Sequence, residues 1–133
     1  GWWILTEVDV ELDTHEIVRP DLAGWRRERV PERPTGRPLR VRPDWICEVL
    51  SPSTERIDRG KKLRIYAEAG VAHAWLLNPI ERTAEVLRLR DGAWTIVEVF
   101  TGSEPVRAEP FDAVELDLAG LWPESPAAPR AEP

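Results

Sequence analysis

The chain has 133 residues, 42% hydrophobic and 32% charged, proportions that suit one globular domain and exclude a largely disordered protein. No apolar run approaches the ~20 residues of a membrane-spanning helix, and the lone Cys47 excludes an internal disulfide framework or a multi-cysteine zinc module. The formal charge of −6 argues against a generic nucleic-acid coat protein, yet it is uneven: seven arginines from Arg26 to Arg42 meet only Glu28 and Glu32, a local balance of +5 against −11 elsewhere.

The chain contains no methionine, so Gly1 reads as an internal residue of a longer product, with a natural N-terminal segment expected before the strand-like Trp2 to Leu5. From Trp2 to Leu12 a period of two predicts one half-buried strand, with Trp2, Ile4, Val8, Val10 and Leu12 inward and Glu7, Asp9 and Glu11 outward. Asp13-Thr14-His15 is the expected turn, and Glu16 to Trp25 the returning strand. Pro20 removes a ladder donor there and predicts an edge or a bulge. Residues 26–43 hold four prolines and read as an extended loop, too polar for a core.

Asp44 to Leu50 is a short apolar strand. Ser51-Pro52-Ser53-Thr54 supplies N-cap hydroxyls for a helix of about fifteen residues ending near Gly70. Val71 to Leu77 is the next strand, stopped by Asn78-Pro79, and Ala84 to Leu89 and Trp94 to Phe100 form a hairpin about Asp91-Gly92. Ala113 to Leu118 is a further short strand, and the Pro/Ala/Glu-rich run from Pro123 is a tail. A strand–helix–strand unit with antiparallel additions gives a mixed α/β or α+β core, a central mixed sheet flanked by a helix.

Charged residues inside apolar strands are the costly ones, and they mark the candidate chemistry. Asp21 lies between Pro20 and Leu22, and Glu48 within Trp45 to Leu50. Each could pair with an arginine at the sheet edge; converging, they would make a hard oxygen site suited to Mg²⁺ or Mn²⁺. Asp58, Lys62, Tyr66 and Ala69 share one helix face, where Lys62 could simply pair with Asp58 in solvent. His15, His73 and Cys47 have no metal-ligand spacing; His15 is expected in a turn, His73 at a strand edge and Cys47 in the core. Trp25 could pack in the core or stack on a base. The arginines, Arg26, Arg27 and Arg29 first, could form a solvated loop, a phosphate-contacting arm or a dimer contact.

Pro20-Asp21-Leu22, Pro43 to Thr54 (PDWICEVLSPST), Asp58-Arg59-Gly60 with Lys62 and Tyr66, and Ala74 to Pro79 (AWLLNP) occur in the order seen in a known family. Over about residues 2–122 the chain closely resembles the Uma-two family of restriction-endonuclease-like proteins, bacterial members of the PD-(D/E)xK nuclease superfamily. The resemblance implies a restriction-endonuclease-like core at residues 1–122, lacking its natural N-terminal segment, with 123–133 as tail. It also implies an Mg²⁺- or Mn²⁺-dependent endonuclease acting on DNA; the lone Cys47 agrees with a reducing, cytoplasmic setting, and a homodimer is a further expectation. Asp21 and Glu48 match the two acids, and the Val49 carbonyl matches a further metal ligand. Leu50 stands where the strand lysine is usual, and Lys62 matches the helix lysine that takes over its role. Asp58 and Tyr66 are expected to hold Lys62 by a salt bridge and a hydrogen bond. Asn78 stands where the family usually has aspartate.

Phosphodiester hydrolysis needs charge neutralisation at the non-bridging oxygens, an activated water and a fixed cation near the developing charge, and two carboxylates with a lysine supply these roles. The competing expectation is a catalytically inactive nucleic-acid-binding or assembly module that keeps the nuclease scaffold.

Overall fold

The computed structural model describes residues 1–13, 15–51 and 55–122, without the side chains of 55–58. Thr14, the capping hydroxyls of Ser53 and Thr54, the tail 123–133 and the side chain of Asp58 lie outside these residues. In chain order the elements are β1 (Trp2–Thr6), β2 (Val10–Glu11), β3 (Ile17–Val18), β4 (Leu22–Arg26), β5 (Trp45–Val49), α1 (Glu55–Ala69), β6 (His73–Asn78), β7 (Thr83–Arg90), β8 (Ala93–Thr101), β9 (Pro105–Val106) and β10 (Leu116–Asp117), with a 3₁₀ turn at Leu118–Leu121.

The main sheet runs β1-β4-β5-β6-β7-β8, and β2-β3 and β9-β10 form two small hairpin sheets. Within the main sheet β5 and β6 form the parallel pair, Trp45 opposite His73 through Val49 opposite Leu77, and α1 makes the crossover that a parallel pair requires. The mixed sheet with one helix is the expected fold class.

Both sheet faces are buried. Ala23, Trp25, Ile46, Ala74 and Leu76 point to one face, covered by Tyr66 and Ala69 of α1 and by Val10, Leu12 and Val18 of the small hairpin. Trp45, Cys47, Trp75, Leu77 and Val86 point to the other, covered by Val106, Leu118 and Trp122. On that second face Trp45 meets Trp75 and Phe111 edge-to-face at 5.3 and 5.0 Å, a geometry worth about 0.5–1.5 kcal/mol per pair beyond burial.

Local signals end the elements where chemistry demands it. Gly70 takes φ +80° after α1, so Val71 N–H reaches Tyr66 O at 3.0 Å and Gly70 N–H reaches Ala67 O at 3.0 Å, which closes the helix. Asp91 and Gly92, at φ +52° and +79°, form the tight turn between β7 and β8.

Four expectations need correction. The strand expected from Trp2 to Leu12 breaks at Glu7, whose φ of +47° resets the alternation. Trp3 and Leu5 therefore join Val10 and Leu12 on the α1 face, while Trp2 packs on the opposite face and Ile4 is exposed. The run from Glu16 to Trp25 splits around Arg19-Pro20-Asp21, so β3 pairs with β2 and β4 with β1. The arginine-rich loop does reach the core: Leu39 is buried and bridges Val10. The strand expected over 113–118 shortens to Leu116–Asp117 before the 3₁₀ turn.

Candidate active site

β4 and β5 pair antiparallel with Leu22 opposite Cys47 and Ala23 opposite Ile46. Continuing that register places Asp21 opposite Glu48, and opposed residues of an antiparallel pair share a face. The two acids thus meet at one end of the pair, on the face that α1 covers. Asp21 sits just past the interruption made by Pro20, and its Oδ2 accepts a hydrogen bond from Val49 N–H at 2.6 Å. The carbonyl of Val49 leaves β5 on the same edge as that N–H, which brings it to the Asp21 side.

Glu48 is only 7% exposed. Its carboxylate takes Lys62 Nζ at 3.0 and 3.2 Å and the Tyr66 hydroxyl at 2.6 Å. Lys62 and Tyr66 lie one turn apart on α1, so one helix face supplies both donors. Lys62 Nζ also donates to the carbonyl of Arg19 at 3.1 Å, tying the helix to the β3–β4 connection. Burial pushes the Glu48 carboxyl above the ordinary range, and the bonds from Tyr66 and Lys62 oppose that rise. Burial, with Glu48 and Asp21 nearby, drives the Tyr66 hydroxyl strongly upward, so it stays a proton donor at any working pH.

The structure therefore brings together Asp21, Glu48, Val49, Lys62 and Tyr66. Tyr66 bonds Glu48, where a bond to Lys62 was expected, because the carboxylate lies between them. The anchoring carbonyl of Arg19 was missed: a backbone acceptor has no residue signature. Leu50 extends past β5, its N–H bound to Leu77 O at 2.8 Å.

The arginines lie elsewhere. Arg26 is at the far end of β4, roughly 17 Å along the strand from Asp21 at ~3.3 Å per residue. Its guanidinium stacks 4.6 Å from the Trp2 ring, and that of Arg27 stacks 3.9 Å from Trp3. Arg29 pairs with Asp44 at 2.8 Å. Trp25 is fully buried with its indole N–H on Val41 O at 2.9 Å, so it cannot stack on a base. His15 is exposed in its turn. His73 opens β6 beside Glu109 at 3.3 Å. Cys47 is buried, and desolvation raises its thiol far above the ordinary range.

The donor set fits a hard divalent cation. Two carboxylates on one face and a neighbouring carbonyl are all oxygen, and Mg²⁺ is held by one or two carboxylates while keeping several waters. Among the described residues no group of three or more His, Cys, Asp or Glu side chains forms a metal cluster. A cation bound here would have to share Glu48 with Lys62.

Among the described residues no helix is long and apolar enough to cross a membrane. None of the curated proteins matches the chain in sequence. Among solved structures, one described as a "putative nuclease belonging to DUF820" from Anabaena variabilis ATCC 29413 superposes with a TM-score of 0.70 at 22% identity, over 91% of this chain and 68% of that one. It shows the same fold. A second, the "DrdV-DNA complex", gives a TM-score of 0.42 at 16% identity over 75% of this chain and 8% of that one. The family described as "Putative restriction endonuclease", Uma2, matches residues 1–119, and the chain belongs to it.

Proposed function

We infer that this protein is a divalent-metal-dependent endonuclease that hydrolyses phosphodiester bonds in DNA. The observation that carries the reading is the opposition of Asp21 and Glu48 on one sheet face, with Lys62 held against Glu48 at 3.0 Å. Asp21, Glu48 and the Val49 carbonyl would hold Mg²⁺ or Mn²⁺, which when bound neutralises phosphate oxygens and makes water more acidic. Lys62 keeps a fixed positive charge beside the carboxylates, where the phosphate gains negative charge on attack. Tyr66 donates to Glu48 Oε2 and fixes the carboxylate that would otherwise turn in its pocket. Arg26, Arg27 and Arg29 would meet phosphates more distant from the scissile bond. The nuclease-like domain lies within residues 1–122, and we place it in the cytoplasm, where Cys47 stays reduced.

One observation favours a second reading. Glu48 is already satisfied by Lys62 and Tyr66, an arrangement that also suits an inactive module that binds nucleic acid on a nuclease scaffold. A cleavage assay decides between them, using single- and double-stranded DNA with Mg²⁺ and Mn²⁺ and Asp21→Asn as matched control. Metal-dependent cleavage lost in Asp21→Asn supports the enzyme; equal cleavage by both proteins, or none by either, removes it.

A further inference from the structure

A groove of about 710 Å³ runs between β3 and α1, beside the carboxylates and outside their shell. Its walls include Glu16, Ile17 and Arg19 on one side and Lys61, Arg64 and Glu68 on the other, with Lys62 shared with the site. Because Lys62 bonds Arg19 O, these residues mark one end of the groove. Glu68 lies six residues up the helix, about 9 Å away at 1.5 Å per residue. Glu16 lies three residues back along the strand, about 10 Å away.

The charges are therefore sorted along the groove. Arg19, Lys61 and Lys62 gather at the end that opens on Asp21 and Glu48, Arg64 follows, and both acids stand at the distal end. Lys61, Arg64 and Arg19 are exposed, and the solvated ion pair of Arg19 with Asp9 engages Nε at 2.9 Å and Nη2 at 3.3 Å, leaving Nη1 outside the pair. Ile17, 58% exposed, offers an apolar wall between them. In a protein of net charge −6 this is a local inversion of sign next to the candidate active site.

We propose that the basic end of this groove seats two phosphates of the strand adjoining the bond at the carboxylate centre, through Lys61, Arg64 and Arg19, and that Glu16 and Glu68 turn the strand out beyond them. The occupant is a phosphodiester backbone; that identity rests on the nuclease reading above. A chain of phosphates cannot continue past two carboxylates without repulsion, so the contact is short.

The test is fluorescence anisotropy on the full chain with a twelve-nucleotide single strand and its duplex, in EDTA, across a salt series. Lys61→Gln/Arg64→Gln is expected to flatten the log–log salt slope by about 1.4 for the single strand or about 1.8 for the duplex, the values for two neutralised phosphates. The difference tells which form enters. Glu16→Gln/Glu68→Gln, which removes the distal repulsion, is expected to bind more tightly, and this arm stands even if the first variant fails to fold. An unchanged slope in the first variant and unchanged affinity in the second, or no binding by wild type, overturns the groove. Cleavage is scored in parallel. Binding with a groove-dependent slope but no cleavage with Mg²⁺ or Mn²⁺ removes the nuclease reading and leaves the groove; cleavage with groove-independent binding does the reverse.

Discussion

The Tyr66 hydroxyl donates to Glu48 Oε2 at 2.6 Å, from a side chain with no exposed surface. A buried carboxylate needs donors, and this one is fixed by a helix packed into the core, so fold and site share a bond. Tyr66→Phe keeps the ring and removes the donor. The expected loss is about 1.5–3 kcal/mol at neutral pH, the range for a hydrogen bond to a charged group. The loss should shrink near pH 4, where a protonated Glu48 needs the donor less. Urea unfolding at the two pH values checks this, and equal losses would contradict it.

Glu48 itself gives stability a pH signature. Burial holds its carboxyl above the ordinary range in the folded state. The native protein therefore keeps the proton where the unfolded chain, with Glu near 4.3, has released it. This contribution is full below the unfolded pKa and is lost as pH rises through the raised value, so stability falls with pH over that window. Glu48→Gln has no proton to lose and should flatten that fall. Identical slopes for mutant and wild type between pH 4 and 8 would show that Glu48 is not the source.

Parts of this arrangement were legible in the residues themselves. Asp21 and Glu48 stood out because a charge in an apolar strand is expensive, and Asp91-Gly92 and Gly70 because tight turns and helix ends require positive φ. The break at Glu7 was hidden: a glutamate in left-handed conformation carries no marker, and the alternation of Trp2 to Leu12 runs straight through it. The basic stripe was visible as charge, while the packing of Arg26 on Trp2 and Arg27 on Trp3 and the pairing of Arg29 with Asp44 are long-range and left no mark in the sequence. The groove carries the same lesson in reverse. Arg19, Lys61 and Arg64 are unremarkable in sequence and meet only because β3 folds back beside α1.

Packing beneath the site yields a stability prediction. Gly24 is opposite Ile4 in β1 and Trp45 in β5. A Cβ there would lie 2.9 Å from Ile4 Cδ1, 3.0 Å from Trp45 Cε3 and 3.1 Å from Trp2 Cε3. The isoleucine end can swing, but the two rings are held in the aromatic cluster. Gly24→Ala should cost about 1–3 kcal/mol, as overpacked cores do. Thermal unfolding measures it, and a neutral or stabilising outcome would mean that the rings shift freely.

The proposed metal binding by Asp21 and Glu48 has a readout independent of activity. A cation that binds only the folded state stabilises it by about 2.7 kcal/mol at a hundredfold excess over Kd. Mg²⁺ or Mn²⁺ should raise the melting temperature of wild type in a saturable way. Asp21→Asn/Glu48→Gln should melt at one temperature with or without the ion. A full rise in the double mutant would place the cation elsewhere.

Lys62 is the residue whose role separates an enzyme from a scaffold. Leu50, which ends the apolar stretch that carries Glu48, can hold no charge beside phosphate. Lys62 reaches the same neighbourhood from α1, and its bonds to Glu48 at 3.0 Å and Arg19 O at 3.1 Å fix the ammonium before substrate arrives. A cation positioned in advance costs no reorganisation during reaction. Removing one such group typically lowers kcat by 10²–10³, or ~3–4 kcal/mol of transition-state stabilisation. Lys62→Met is thus expected to lose that much kcat while still showing the metal-induced rise in melting temperature. Lys61→Met, which removes a groove cation one residue back and about 100° around the helix, should raise KM and leave kcat nearly unchanged. Wild-type kcat in Lys62→Met, or equal kcat losses in the two variants, would rule out a lysine supplied by the helix.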